Sequence, residues 1–396
     1  MLTLLLGLLP FIMVLGNSML IPILPELEQS LKLTATETSL ILSVFNIPAA
    51  LVIPFVGFFS DRYGRKKIIL FSLLFIFIGG FLCFMSGFLD RSDDAFSLLL
   101  GGRVLQGVGT GGTTPLAMAL VGDLYTGEKR AKQLAILEVF NGSAKILAPI
   151  IGALLALFSW YFPFVVFPLL SIVLIMAISL KLTPQVSGID VMKLSTYKDE
   201  VVKVLKSKWN LLIGTYLLGG IGLFILFGML YYLSYQIEEI FHIDGFFKGF
   251  TFVFPLGALT LTSYWTGKRL KGSTVNEVDF LMIGSIIMLI SFFLMIFFQS
   301  FSFYLGLLTV GFGGLGFVLP TISLMITSSV DDRERGIVVA FYGVARFGGV
   351  ALGPIVYSLL LDKPILLFVL SFLLLLFSSF FFWVVRKEGR FVLRRT

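Results

Sequence analysis

Four charged side chains stand inside long apolar stretches of this chain: Glu138, Arg103, Lys145 and Arg346. A charge in such surroundings is costly unless it faces a partner or a wet cavity, so each is a candidate for work on protons or ions. Glu138 is the one carboxylate well inside, about six residues or ~9 Å from the end of its stretch. At that depth a carboxylate can load and release a proton as access changes; the competing reading is a permanent pair with a Lys or Arg made for packing. Arg103 lies ~10 Å below the opposite surface and also has two readings. It either acts on a nearby carboxylate or braces its helix by bonding backbone carbonyls. The difference in depth argues against direct pairing of Arg103 with Glu138. Arg103, Lys145 and Arg346 together outnumber the single Glu, a balance that suits a substrate with an anionic or acidic group. Asn141 and Gln106 join them as candidate cavity residues, with Lys145 open to the alternative of an interface residue between two halves.

The elements that must position these groups follow from composition. With 57% hydrophobic residues, 13% charged residues and 43 Phe in 396, the chain reads as an all-α, polytopic membrane protein. A net charge of +7 would suggest nucleic acid as partner of a soluble protein, but here the cations collect in one set of loops. A single Cys and a single His argue against a disulfide framework and against a metal site. Met1 leads straight into apolar residues without a basic first region or a cleavage site, so the first segment is expected to be retained.

Windows long enough to cross ~30 Å of hydrocarbon fall near 2–25, 38–60, 68–89, 96–122, 132–157 and 161–181, then near 209–236, 247–267, 278–299, 301–327, 337–361 and 364–386. The expectation is twelve transmembrane helices in two six-helix bundles, 1–181 and 209–396, joined by a connection over 182–208. The second part of that connection reads equally as an amphipathic surface helix or a flexible linker. Nearly all loop cations lie on the side of Gly57–Lys67, while Lys32, Arg91, Lys248 and Lys363 lie on the other. That asymmetry places both termini in the cytoplasm. The absence of any organelle signal favours a bacterial inner membrane.

The halves repeat. A shift of 205 residues sets Gly109 on Gly314, Gly111 on Gly316, Pro115 on Pro320, Arg130 on Arg335 and Pro149 on Pro354. The charges do not repeat: Arg103 falls on Leu308, Glu138 on Gly343, Asn141 on Arg346 and Lys145 on Val350. Packing positions are thus shared, and each half has charges of its own.

Between the second and third windows runs GFFSDRYGRKK, from Gly57 to Lys67. Gly57 would let two helices approach, Gly64 permits a tight turn, and Asp61 can offset the cations around it. The spacing resembles the loop motif G-x-x-x-D-R-x-G-R-[KR] of the major facilitator superfamily, at Gly57, Asp61, Arg62, Gly64, Arg65 and Lys66. LGGRVLQGVG, from Leu100 to Gly109, is similar to that superfamily's L-x-x-R-x-x-Q-G-x-G exporter pattern at Leu100, Arg103, Gln106, Gly107 and Gly109. Leu15, Gly16, Pro22 and Pro25 fit the L-G-x-x-x-x-x-P-x-x-P pattern of twelve-helix drug exporters. The exporter motif G-x-x-x-G-P-x-x-G-G is matched imperfectly in the fifth helix, where Ala148 and Ala153 replace two Gly, and better in the eleventh, at Gly348, Gly349, Gly353 and Pro354.

The resemblance implies a secondary transporter working by alternating access, in which Arg103 serves proton coupling; Glu138, from its own place inside an apolar window, is the expected proton carrier. It implies a cytoplasmic gate at Gly57, Asp61, Arg62, Gly64 and Arg65, with Asp123 joining Asp61 and Arg62. It also implies helix packing and rocking at Gly142, Pro149, Gly152, Gly349, Gly353 and Pro354. The function expected is proton-coupled efflux of amphiphilic drugs or related small molecules. The alternatives are a dedicated exporter or flippase of an anionic metabolite, siderophore or lipid-linked substrate, an importer, and, from another class, a non-transporting receptor. No enzymatic constellation, cofactor or nucleotide-binding loop is read; the proton gradient is the expected energy source. The expected partners are a small amphiphilic substrate, protons and the bilayer, with no nucleic acid, the chain acting as a monomer. The aromatic residues Phe224, Phe227, Tyr231, Tyr232 and Tyr235 are candidates for stacking on such a substrate, against a default of lipid or core packing. Glu238 and Glu239 read as a solvated surface pair.

Overall fold

The computed structural model describes residues 2–182, 201–204, 206, 209–241, 246–270, 277–330 and 332–388. Those residues are helical apart from short connections, as a backbone without water to bond requires. In the first half the helices are α1 (Leu2–Ser18), α2 (Leu24–Leu31), α3 (Ala35–Tyr63), α4 (Arg65–Met85), α5 (Ser92–Gly111), α6 (Thr113–Leu124), α7 (Gly127–Ala156) and α8 (Val166–Lys181). The second half has α9 (Trp209–Phe241), α10 (Phe246–Thr251), α11 (Val253–Leu270), α12 (Glu277–Met295), α13 (Phe301–Ser328), α14 (Asp332–Ser358) and α15 (Pro364–Glu388).

Each of the twelve expected windows is filled by helix, and three of them are broken. The first continues to Leu31 through a 3-10 turn at Ile21–Ile23, where Pro22 supplies no N–H to the helical ladder. The fourth divides at Gly112 and the eighth at Phe252. Ten spans among the described residues are long and apolar enough to cross a membrane. Of the connection, residues 183–200, 205, 207 and 208 lie outside the described residues; 201–204 and 206, in its second part where a surface helix or a linker was expected, are helical.

Local chemistry sets the ends that matter for the sites. Thr34 and Glu37 form a reciprocal capping box: the Glu37 N–H donates to Thr34 Oγ1 at 3.3 Å and the Thr34 N–H to Glu37 Oε2 at 2.8 Å. At the other end of α3, Gly64 has φ 92°, a left-handed conformation that favours glycine, and joins α3 directly to α4.

By contacts the chain forms two compact units. Unit 1 is Met1–Val191 with Leu230–Val253; unit 2 is Met192–Met229 with Phe254–Thr396. The division therefore falls inside α9. Within unit 1, α5 packs against both α3 and α4. A Cβ on Gly79 would sit 2.5 Å from the Gly102 carbonyl, so these helices meet backbone to backbone. Within unit 2, α12 and α13 meet in the same way, a Cβ on Gly284 falling 2.6 Å from the Gly314 carbonyl.

Candidate functional site

Arg103 is fully enclosed at the centre of unit 1. Its Nε donates to the Ile41 carbonyl at 2.9 Å, its Nη2 to the Gly16 carbonyl at 2.9 Å and its Nη1 to Gln106 Oε1 at 2.8 Å. The guanidinium also lies over the Phe45 ring, 4.2 Å from its centroid. Gly16 stands in the last turn of α1, where carbonyls run out of intrahelical donors and a cation is favoured. One side chain of α5 thereby ties α1 to α3. Among the described residues no carboxylate pairs with it. Arg103 and Gln106 were expected to line a cavity; both are instead enclosed, because the guanidinium spends its donors on helix carbonyls and on Gln106 itself.

The helix α7 presents the expected acid differently. Glu138 is exposed, without an ion pair among the described residues, while Asn141 and Lys145, one and two turns further on, are half-buried. Glu138 and Arg103 are not brought together. Gly142 and Pro149 are buried, and Gly152 lies against the Met19 carbonyl in the break between α1 and α2.

Unit 2 holds Arg346 on α14. The side chain is half-buried, its guanidinium 5.6 Å from the Tyr342 ring centroid, and its Nε is buried with no hydrogen-bond partner among the described residues. Tyr342 stacks on Tyr216 of α9 at 5.8 Å, and the Tyr216 hydroxyl donates to the Val338 carbonyl at 2.7 Å. On the same helix Gly349 and Gly353 lie against the Gly220 and Phe224 carbonyls of α9, and Pro354 is buried just beyond.

At the Gly57–Lys67 loop, Arg65 is the residue that organises the charges. Its Nε and Nη2 engage both oxygens of Asp123, the second at 3.2 Å, and its Nη2 lies 3.4 Å from Asp61. Two expectations need correction. Asp123 takes Arg65, not Arg62, as partner; Arg62 is exposed and lies 5.9 Å from the Tyr63 ring centroid. Gly57 is exposed, with none of the described residues within 4 Å of a built Cβ, so among them it makes no close helix approach. Lys66 was counted only as a motif cation, yet its Nζ donates to the Ser179 and Leu182 carbonyls at 2.8 and 2.5 Å and caps the end of α8.

Some contacts were missed from sequence. Glu238 is no solvated surface group, since it pairs with the buried Lys248. Glu28 meets Tyr235 across 207 positions of chain. The signal for Glu28 was present, as an acid that follows the Pro22–Pro25 break closely, but nothing in the sequence named its partner.

The comparisons with known proteins agree with this architecture. The family model described as the Major Facilitator Superfamily matches residues 6–354. The "Bacillibactin exporter" of Bacillus subtilis (strain 168) is 36% identical over 367 residues, covering 91% of this chain and 90% of that protein. The "Quinolone resistance protein NorA" of Staphylococcus aureus (strain Mu50 / ATCC 700699) is 30% identical over 154 residues, 39% of this chain and 38% of that protein. Among solved structures, a bacterial homolog of the human lysosomal transporter Spinster, inward-facing and unoccupied, superposes with TM-score 0.78 at 14% identity, covering 97% of this chain and 96% of that one. The twelve helical segments, the glycine-packed repeat and a family match over nearly the whole length lead to one conclusion: this chain is a multi-pass membrane transporter that belongs to the major facilitator superfamily.

Proposed function

We propose that the chain exports an amphiphilic small molecule bearing an anionic group, by alternating access driven by the inward proton gradient, with Glu138 as proton carrier. The observation that carries the reading is a charge imbalance. Among the described residues Arg346 keeps a buried Nε without an acceptor, an arrangement that an anionic ligand oxygen would complete, while Glu138 stands exposed on α7 without an ion pair. The full-length relative named as a bacillibactin exporter supports a dedicated siderophore-type substrate. The shorter match to a quinolone resistance protein favours a second reading, efflux of amphiphilic drugs.

Arg103 acts in this scheme as a positioning brace for α1, α3 and α5, and Lys145 and Asn141 as polar groups beside the carrier. Arg65, Asp61 and Asp123 form the cytoplasmic gate, with both termini on that side of the cell membrane. No cofactor is needed, and a monomer suffices.

The test is transport in proteoliposomes under an imposed pH gradient, with an anionic siderophore and a cationic dye offered in turn to wild type and Glu138→Gln. Gradient-driven movement of the anion, lost in Glu138→Gln, is the expected result. Undiminished coupling in the variant rules out Glu138 as carrier, and a preference for the cationic dye moves the substrate to the drug reading.

A further inference from the structure

At the end of unit 1 opposite the Gly57–Lys67 loop, four oxygens form a chain that reaches from backbone to carboxyl. The Tyr231 hydroxyl lies 2.6 Å from the Ala35 carbonyl and 3.0 Å from the Tyr235 hydroxyl, which in turn contacts Glu28 Oε2. Thr38 Oγ1 stands 3.3 Å from the same carboxyl oxygen and 3.0 Å from the Thr34 carbonyl. Tyr231 and Thr38 are fully buried and the two rings lie 4.9 Å apart, so the group is packed.

Each contact along the chain needs one proton to be a hydrogen bond. The two tyrosines supply two. With Glu28 ionised, Tyr235 donates to the carboxylate, Tyr231 donates to Ala35, and the 3.0 Å contact between the hydroxyls has no proton. With Glu28 protonated, its O–H donates to Tyr235, Tyr235 to Tyr231 and Tyr231 to Ala35, so all three contacts of the chain from Ala35 to Glu28 are filled, while the Thr38 hydroxyl keeps its own proton for the Thr34 carbonyl. A place for a third proton is therefore built into the geometry.

We propose that Glu28 is a proton-binding site, separate from Glu138, whose protonation completes a hydrogen-bonded tether from α9 to α2 and α3. The segment it holds, Leu230–Phe241, is continuous with the part of α9 that packs in unit 2. On the proposed orientation this end faces the cell exterior, where protons are supplied.

The surrounding charges leave Glu28 to the tyrosines. From α9 it faces Tyr235 and, behind it, Tyr231; Glu238 further along is paired with Lys248. From α3 it faces Thr38, and the nearby acid Glu37 is held by Thr34. The first turn of α5, which also packs on α2, carries Asp93 and Asp94, the latter paired with Arg91 at 3.8 Å. Its own helix adds Glu26 and the exposed C-cap Lys32. No cation among the described residues makes an ion pair with Glu28.

The experiment uses the full chain in lipid nanodiscs, without substrate. Infrared difference spectra on acidification report protonated carboxyl groups, and spin labels at Gln29 and Gln236 report how tightly α9 is held to α2. Wild type is expected to gain a carboxyl band and to narrow its label-distance distribution as pH falls. Glu28→Gln, whose amide donates as the neutral acid does, should lose that band and stay narrow at every pH; Tyr235→Phe should stay broad at every pH. In Glu138→Gln the Glu28 band and the narrowing persist, so failure of the carrier assignment and failure of this one are separable. A band and a pH response retained in Glu28→Gln, or a wild-type distribution that ignores pH, would overturn the proposal.

Discussion

Helices α5 and α13 occupy equivalent places in the repeat and are built to different ends. Both present glycine to a neighbouring helix: Gly102 against Gly79 in unit 1, and Gly314 against Gly284 in unit 2, where Gly79 and Gly284 are themselves related by the 205-residue shift. Yet where α5 carries Arg103, α13 carries Leu308, and both are fully enclosed. Unit 1 uses a guanidinium to gather α1 and α3 through their carbonyls, while unit 2 fills the corresponding position with apolar packing. Backbone proximity is therefore the shared solution, and the polar brace is the special one. A charge absent from one repeat can be structural in the other, so failure to repeat does not by itself mark a residue as a transport group.

The largest effect should come from breaking that contrast at its centre. Arg103→Lys keeps the charge but cannot reach three acceptors with one planar fork. Two charge-assisted hydrogen bonds are lost, at ~1.5–3 kcal/mol each. Arg103→Lys should lower thermal stability markedly and abolish transport, whereas Leu308→Met, a volume-conserving change, should cost under ~1.5 kcal/mol and leave transport intact. Thermal unfolding in detergent, read beside transport, checks both. Full stability in Arg103→Lys would show that the charge matters and the brace does not.

A smaller effect sharpens the shared half of the comparison. Gly79→Val and Gly284→Val each force a branched side chain into a backbone contact, 2.5 Å from the Gly102 carbonyl in one case and 2.6 Å from the Gly314 carbonyl in the other. Each should cost ~1–3 kcal/mol by overpacking, and the two losses should be similar. A large loss in one half alone would mean that the repeat preserves sequence without preserving the contact.

How much of this was legible in the sequence depends on what the partner is. Twelve helical segments follow from apolar length, and the breaks at Pro22 and Gly112 fall at residues that weaken a helix. Arg103 was visible as a costly charge in a recognisable pattern. Its acceptors were not, because the Gly16 and Ile41 carbonyls lie 87 and 62 positions away and a backbone carbonyl leaves no trace in residue identity. The same holds for Glu28 and Tyr235, and for Asp123, whose choice of Arg65 over Arg62 depends on which way successive side chains leave the turn at Gly64. Glu138 read as a group inside a span, and a window of hydropathy cannot tell an inward face from an exposed one.

A third prediction concerns charge that does not repeat. Arg346 stands where unit 1 has Asn141, and among the described residues its Nε has no acceptor to lose. Arg346→Gln should therefore leave stability within ~0.5 kcal/mol and weaken the anionic substrate about tenfold, equivalent to ~1.4 kcal/mol. Concentration-dependent transport separates the two terms: a raised half-saturation with unchanged unfolding temperature is expected. A destabilised variant with unchanged half-saturation would make Arg346 a packing residue, as Arg103 is.

The smallest effect belongs to the loop charges. Asp123 is about a third exposed and Arg65 less so, and their contact is bidentate, so the pair stands above an ordinary surface bridge in geometry and close to one in solvation. A double-mutant cycle of Asp123→Asn with Arg65→Gln should give a coupling of ~0.2–1 kcal/mol in thermal stability, falling as salt rises. Arg62→Gln with Asp123→Asn should give none, since the two side chains do not pair. As part of the proposed gate, Asp123→Asn should also change transport rate by more than its stability cost explains. An Arg65–Asp123 coupling that is small in stability but large in rate would show the bond turning over during transport, while equal effects in both would leave it a static tie between α4 and α6.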